Sequence, residues 1–117
     1  MMKLLVATAV SLAALASTAF AAQEDVGLAG MHDLRREGNR LCMSDHWHYG
    51  SGGAMPNRKA AQAQAIESWS SFTAFEYGSE WANFAIAGGK TVQCSDGPSG
   101  VTCNVSARPC MTRSRKR

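Results

Sequence analysis

Four cysteines constrain what this 117-residue chain can fold into more than any other feature, and they are Cys42, Cys94, Cys103 and Cys110. An even number of cysteines in a small exported protein implies two disulfide bonds, and four cysteines allow three different pairings. Zinc is the competing use of four cysteines, but the sequence contains no Cys-x-x-Cys pair of the kind that zinc sites use. The cysteines therefore predict a disulfide framework.

The spacing of the later cysteines favours one pairing. Two strand-like segments, residues 91–95 and 101–107, flank the turn sequence Asp-Gly-Pro-Ser-Gly. A four-residue loop at residues 97–100 would place Cys94 directly opposite Cys103, close enough for a disulfide to form with local adjustment. We therefore expect a Cys94–Cys103 bond, with Cys42 and Cys110 forming the second.

The N-terminal residues predict export. Residues 1–21 contain Lys3, an apolar run at 4–15 and the small-x-small cleavage sequence Ala-Phe-Ala at 19–21, which together are typical of a secretory signal peptide. The apolar run is short and alanine-rich for an uncleaved anchor, and the remaining sequence has no second stretch able to cross a bilayer. The expected location is periplasmic or secreted, and the expected mature chain is one small domain.

Positive charge is concentrated at the C-terminus. Without Lys3 the chain has 11 basic and 9 acidic residues, and the tail at residues 111–117 carries four of the basic ones. The rest of the mature chain is therefore net negative. The tail could bind an anionic envelope component, whereas export makes nucleic acid an unlikely partner.

A helix is predicted at residues 58–77, which contain neither glycine nor proline and begin with an alanine-rich run. Asn57 can cap its first turn, and Gly78 ends the pattern. The helical period places Ala65, Ile66, Trp69, Phe72 and Thr73 on one face.

Glu76 lies near the middle of the aromatic part of that face. Either its long side chain reaches water, because carboxylates are rarely fully buried, or it is buried and needs a charged partner. Arg108 is the predicted partner in a buried ion pair.

Residues 79–89 are ambiguous, because their apolar residues fit both a short helix and a strand. A three-residue loop at 88–90 would place a strand in register with the later hairpin. We therefore predict an α+β fold in which one main helix is followed by a small antiparallel three-stranded meander. The predicted divisions are a signal peptide (1–21), an irregular N-terminal arm (22–56), an α+β core domain (57–110) and a basic disordered tail (111–117).

The arm contains the segment whose side chains are best suited to binding or chemistry, Asp45-His46-Trp47-His48. In an extended conformation His46 and His48 point to the same side, and a His-x-His pair can offer two imidazoles to a zinc or copper ion. Asp45, His32 or a reduced Cys42 could supply a third ligand. The alternative is that the neighbouring aromatic residues pack while the histidines are exposed or hydrogen-bonded locally.

Nothing in the sequence supplies a recognisable nucleophile–base pair or carboxylate dyad, so we do not expect an enzyme. The main functional hypothesis is a small exported envelope protein that acts as a non-catalytic binding or structural module. The alternative is a periplasmic metal-binding protein that uses the His46/His48 segment. A secreted hydrolase is a third hypothesis.

Several short motifs carry a family resemblance. They are Asp-His-x-His-Tyr-Gly at 45–50, Ala-Ile-x-x-Trp at 65–69, Phe-Thr-Ala at 72–74, Glu-Tyr-Gly at 76–78 and Cys…Cys…Ala-Arg-Pro-Cys ending at Cys110. In combination they resemble a family of small exported proteins from rhizobial-type alphaproteobacteria whose function is uncharacterised. The resemblance covers residues 42–110, and it implies no particular activity, cofactor or catalytic residue.

Overall fold

The computed structural model describes residues 27–112, so the predicted signal peptide and residues 113–117 of the predicted tail lie outside the described residues. The fold has one helix, α1 (Arg58–Tyr77), and six strands: β1 (Leu34–Glu37), β2 (Arg40–Met43), β3 (His48–Ser51), β4 (Gly88–Gly97), β5 (Gly100–Arg108) and β6 (Cys110–Thr112). Short 3-10 helices occupy Gly27–Met31, Ser79–Trp81 and Phe84–Ile86. The predicted α+β class is confirmed. No helix within residues 27–112 combines the length and the apolar composition that a membrane-spanning helix needs.

Helix α1 has the predicted bounds because its two end signals are local. The Asn57 side chain accepts a hydrogen bond from the Ala60 backbone N–H at 2.8 Å, and it so satisfies one of the free donors of the first turn. Gly78 follows the helix at φ 101°, a conformation that glycine adopts easily, and its N–H donates to Ala74 O.

The strands form two antiparallel three-stranded sheets, with the orders β1-β2-β6 and β3-β5-β4. The predicted meander is therefore wrong. Residues 79–87 form two 3-10 helices, and the Asn83 side chain caps the second by accepting from Ala85 N–H. Gly88 and Gly89 belong to β4 and begin a bulge there, with Gly89 at φ 57°. In the predicted meander a strand at residues 79–87 would have paired with the outer edge of β4, and among the described residues no strand pairs with that edge, while β3 pairs with the other edge of β5.

The segment expected to be an irregular arm supplies three strands. β1 and β2 form a hairpin around Gly38, which has φ 65°, and β3 joins the sheet of the predicted core. At the other end, β6 includes Met111 and Thr112, which were predicted to belong to the tail. These strands have only three or four residues each, too few for a clear alternating pattern.

Both disulfides join the expected cysteines, and both link residues directly opposed across a pair of strands. Cys94 lies opposite Cys103 between β4 and β5, and Cys42 lies opposite Cys110 between β2 and β6. The β4–β5 register also follows the prediction, with Asp96 facing Val101. The first bond closes the hairpin, and the second fastens β2 to the C-terminal strand.

The core lies mainly between α1 and the sheet that contains β3, β5 and β4. Trp69 is completely buried there against Val105 and Ala107, and its indole Nε1–H donates to Ala107 O at 3.2 Å. The predicted helix face is buried at Ala65, Trp69 and Thr73, but Phe72, at its rim, is 51% exposed. A second cluster of buried residues, at the C-terminal end of α1, contains Ala29, Met43, Tyr77 and Trp81.

Candidate metal centre

Strand β3 carries His48 into the interior. Its side chains alternate between buried and exposed, so that His48 and Gly50 face α1 while Tyr49 and Ser51 face solvent. A Cβ atom on Gly50 would lie 2.1 Å from the Ala65 carbonyl oxygen, so only glycine allows the strand to lie this close to the helix. The close approach places His48, which is 3% exposed, against the C-terminal half of α1.

A hydrogen-bond chain fixes the protonation of the inner nitrogen of His48. Its Nδ1 lies 2.9 Å from Thr73 Oγ1, and the Thr73 hydroxyl donates to the Trp69 carbonyl oxygen at 2.7 Å. Because the hydroxyl has a single proton and a carbonyl oxygen can only accept, the two bonds exist together only when Thr73 accepts from His48. In that arrangement His48 carries a proton on Nδ1, and in the neutral imidazole Nε2 is a bare lone pair.

That lone pair faces a carboxylate. His48 Nε2 lies 3.2 Å from Glu76 Oε2, one turn along α1 from the buried Thr73. Burial lowers the pKa of His48, and His46 and His32 act in the same direction, although the Glu76 charge opposes them. The neutral form is thus favoured, and it brings two hydrogen-bond acceptors together with no proton between them. A cation at this point would resolve the conflict.

His46 contributes a third atom that lacks a hydrogen-bond partner. Its Nε2 atom is buried and has no hydrogen-bond partner among the described residues. Its ring stacks on that of His32, with centroids 4.1 Å apart, and meets the His48 ring edge-on at 5.0 Å. Burial, together with the neighbouring His32, lowers the pKa of His46, so that the neutral ring, with one nitrogen lone pair, is favoured near neutral pH.

The three residues together form a ligand set of two imidazoles and one carboxylate. Their ligand atoms all lie within 4.8 Å of one another. Ligands at metal bond lengths of about 2.0–2.2 Å around a tetrahedral ion are roughly 3.4 Å apart. His48 and Glu76 are already at that spacing, and His46 would have to approach them by about 1 Å or a little more.

Of the ligands predicted from sequence, the structure brings together His46 and His48 but not Asp45. Asp45 is exposed and lines a neighbouring pocket of about 240 Å³ with Met31, His32, Asp33 and His46. Cys42 is held in its disulfide. The His32 ring lies nearly parallel to His46 at stacking distance, so the in-plane lone pairs of the two rings cannot converge on one ion.

His32 and Tyr77 support the site from outside. The Tyr77 hydroxyl lies 2.7 Å from His32 Nε2. Burial, a side-chain hydrogen bond to Glu76 and the Glu76 charge raise the pKa of Tyr77 to about 12, so this phenol keeps its proton near neutral pH. The bond holds the His32 ring in place against His46.

The predicted ion pair between Glu76 and Arg108 is wrong. Arg108 donates to both carboxylate oxygens of Glu37, at 2.6 and 2.8 Å, and to the Met43 carbonyl oxygen at 2.7 Å. The hydrogen bonds from Arg108 hold the pKa of Glu37 below its usual value. The arm strand β1 brings Glu37 to this position, and that strand was not foreseen.

Thr73, His48 and Glu76 also form a hydroxyl–imidazole–carboxylate series, which resembles a nucleophilic triad in its order of groups. Thr73 cannot act as the nucleophile, because it is 0% exposed and its proton is donated to Trp69 O. The series is therefore a way of orienting His48.

No family model, curated protein or solved structure matches this chain. The resemblance to rhizobial-type exported proteins thus stays an expectation, and any functional argument depends on the geometry of the site.

Proposed function

We propose that the protein is a small exported module that binds one divalent transition-metal ion through His46, His48 and Glu76. Glu76 replaces the carboxylate ligand that was expected at Asp45. The proposal joins the two main hypotheses, a non-catalytic binding module and a metal-binding protein, since a module that binds a metal ion need not catalyse a reaction.

The main supporting observation is the approach of His48 Nε2 to Glu76 Oε2, with a ring nitrogen of His46 in the same group of ligand atoms within 4.8 Å and with His46 Nε2 unpartnered among the described residues. Protonation of His48 would satisfy the first two atoms by forming an ion pair with Glu76. It would leave the buried His46 acceptor without a partner, at a cost of about 1–3 kcal/mol. One metal ion between the three atoms satisfies all of them together.

The ligand types indicate the class of ion. Imidazole nitrogen suits zinc, copper, nickel and iron, whereas calcium and magnesium prefer sites made entirely of oxygen. Three protein ligands leave a coordination position open on a tetrahedral ion. Because the Glu76 side chain is 37% exposed, water or an exchanging ligand could reach the ion from that side, so the proposed site suits a bound but exchangeable zinc or copper ion.

The experiment is a calorimetric titration of purified, oxidised protein with Zn²⁺ and, separately, Cu²⁺. We expect one ion per chain. His46→Ala, His48→Ala and Glu76→Gln should each weaken binding by at least about tenfold, because even outer partners of metal ligands commonly contribute that much.

Two matched controls separate the site from general effects of charge. Glu67→Gln removes an exposed carboxylate from the same helix, and Asp45→Asn removes the carboxylate expected from sequence. Both variants should retain the native affinity for the metal. Native protein that binds no metal, or binding that survives in His48→Ala and Glu76→Gln, would refute the proposal.

Export and the role of the basic tail are part of the same proposal. Two disulfides suit an oxidising environment, and residues 1–21 predict the route to one. A periplasmic or secreted location would expose the site to extracytoplasmic metal. The tail would add contact with an anionic envelope component.

A further inference from the structure

Strand β4 is a long edge strand. It has ten residues and forms the outer strand of the order β3-β5-β4, so among the described residues only β5 pairs with it. Almost all of its residues are exposed, including Val92 at 42%. Proteins usually protect such edges with charges, proline or short length, because an open edge can pair with another strand. The centre of β4, from Thr91 to Ser95, has none of these protections.

The hairpin determines which backbone groups face outward. Gly97 and Gly100 close the two-residue turn and, as in hairpins of this length, form a hydrogen-bonded pair. Hydrogen-bonded and non-hydrogen-bonded pairs alternate along an antiparallel ladder. The odd-numbered residues of β4 therefore bond to β5, and Val92, Cys94 and Asp96 direct their N–H and C=O groups toward the open edge.

We propose that two copies of this chain associate by antiparallel pairing of β4 with β4, around a two-fold axis at Gln93. Val92 of each copy then pairs with Cys94 of the other, through the outward-facing backbone groups. Lys90 of each copy lies opposite Asp96 of the other. The result is a continuous six-stranded sheet with both α1 helices on the same side.

Charge complementarity selects this register. Lys90 and Asp96 are the only charged residues in β4, and each is three positions from Gln93. A residue whose backbone N–H and C=O groups face the open edge can pair only with a residue of the same kind in the other copy. The partner of each residue can therefore change only by two positions at a time. A shift of the pairing in either direction separates Lys90 from Asp96 and leaves both charges without a partner across the interface.

The side chains are compatible with the register. Val92, Cys94 and Asp96 share the face of the sheet that α1 covers, because they lie opposite Val105, Cys103 and Val101 of β5. Lys90 reaches the same side, where its Nζ donates to Ala85 O at 2.7 Å. Helix α1 packs mainly on β3 and β5, so within residues 27–112 this helix does not cover the β4 edge. Pairing would cover the half-exposed Val92 of each copy.

Lys90 has a competing interpretation as a charge that guards the edge against pairing. The two interpretations make opposite predictions. If Lys90 guards the edge, its replacement should increase association. If it pairs with Asp96 of a second copy, its replacement should decrease association, and reversing both charges should restore it.

The first experiment is sedimentation equilibrium of the purified, oxidised protein and its charge variants. We expect a native dimer, a dissociation constant raised at least about tenfold in Lys90→Asp and in Asp96→Lys, and recovery in the double variant. Lys59→Asp, which changes an exposed lysine of α1 by the same amount, should behave as native. A native protein that stays monomeric up to about 1 mM, or a double variant as weak as the singles, would overturn the proposal.

The second experiment tests the register by disulfide cross-linking. At the two-fold axis the two Gln93 Cβ atoms would be about 4.5–5.5 Å apart, so Gln93→Cys should form a dimer bond under mild oxidation. Ser95→Cys is the matched control on the same exposed face. Its two copies would be offset by four residues, or about 14 Å, and should not cross-link. Equal cross-linking of both variants, or none in Gln93→Cys, would contradict this pairing.

Discussion

Replacing Thr73 by valine tests the link between the interior and the proposed metal site. Thr73 is completely buried, accepts the His48 Nδ1–H at 2.9 Å and donates to Trp69 O at 2.7 Å. Valine has nearly the same shape and keeps the branched Cβ atom, so it removes the hydroxyl with little change in packing. The substitution isolates one hydrogen-bond acceptor.

The loss of this acceptor has one of two consequences, depending on which ring nitrogen of His48 then carries the proton. A buried His48 N–H without a partner should lower the free energy of unfolding of the metal-free protein by about 1–3 kcal/mol. His48 can escape this penalty by moving its proton to Nε2, where it can donate to Glu76. The metal must then displace that proton, so we expect the zinc dissociation constant to rise about 10- to 100-fold, the range for lost outer partners of metal ligands.

The assay combines zinc calorimetry, urea unfolding without metal and nitrogen NMR of the His48 tautomer. Thr73→Ser is the matched control, because it keeps the hydroxyl and should retain the native tautomer and affinity. Equal losses of affinity in the valine and serine variants would assign the effect to packing. Zinc binding within about twofold of native in Thr73→Val would refute the claim that this hydrogen bond prepares His48 for a metal.

Three other predictions concern the core, acid stability and the tail. Trp69→Ala should lower the free energy of unfolding, measured in urea, by about 3–5 kcal/mol. Phe75→Ala, at a position 91% exposed, should change it by about 0.5 kcal/mol or less. Similar losses in the two variants would show that Trp69 does not lie in the core. Burial lowers the pKa of both His46 and His48 from 6.5, so that as the pH falls the unfolded chain takes up protons before the folded one does. The metal-free protein should therefore lose stability as the pH falls below about 6.5. His48→Gln should reduce this pH dependence, and an unchanged stability profile in that variant would contradict the prediction. Deleting residues 113–117 should leave the free energy of unfolding unchanged within about 0.5 kcal/mol and should abolish salt-sensitive binding to anionic vesicles. Vesicle binding that survives the deletion, or that does not weaken with added salt, would refute an electrostatic role for the tail.

The elements that the sequence predicted correctly depend on local signals. Helix α1 begins and ends where Asn57 and Gly78 place it, because a cap and a helix-ending glycine act within one turn. The Cys94–Cys103 register follows from the short turn between β4 and β5. In both cases the interacting residues are close in the chain, so tertiary contacts had little to decide.

Tertiary structure decided which side chains meet at the site. The helical period indicated that Glu76 lies near Phe72, but it could not indicate which segment packs there. The answer depends on β3, which enters beside β5 and brings His48 to Glu76, while β1 brings Glu37 to Arg108. One sequence signal was available. Gly50 lies between Tyr49 and Ser51 in β3, and a glycine at this position marks the point where the strand lies closest to the helix.

The sequence by itself thus determined the helix, the hairpin, the disulfide framework and the presence of two histidines with His-x-His spacing. It did not determine which carboxylate lies beside His48, which residue pairs with Arg108 or the order of the strands. These three features depend on short strands that pair with strands distant in the chain. The free energy of such strand pairing comes from tertiary contacts, which no local sequence pattern encodes.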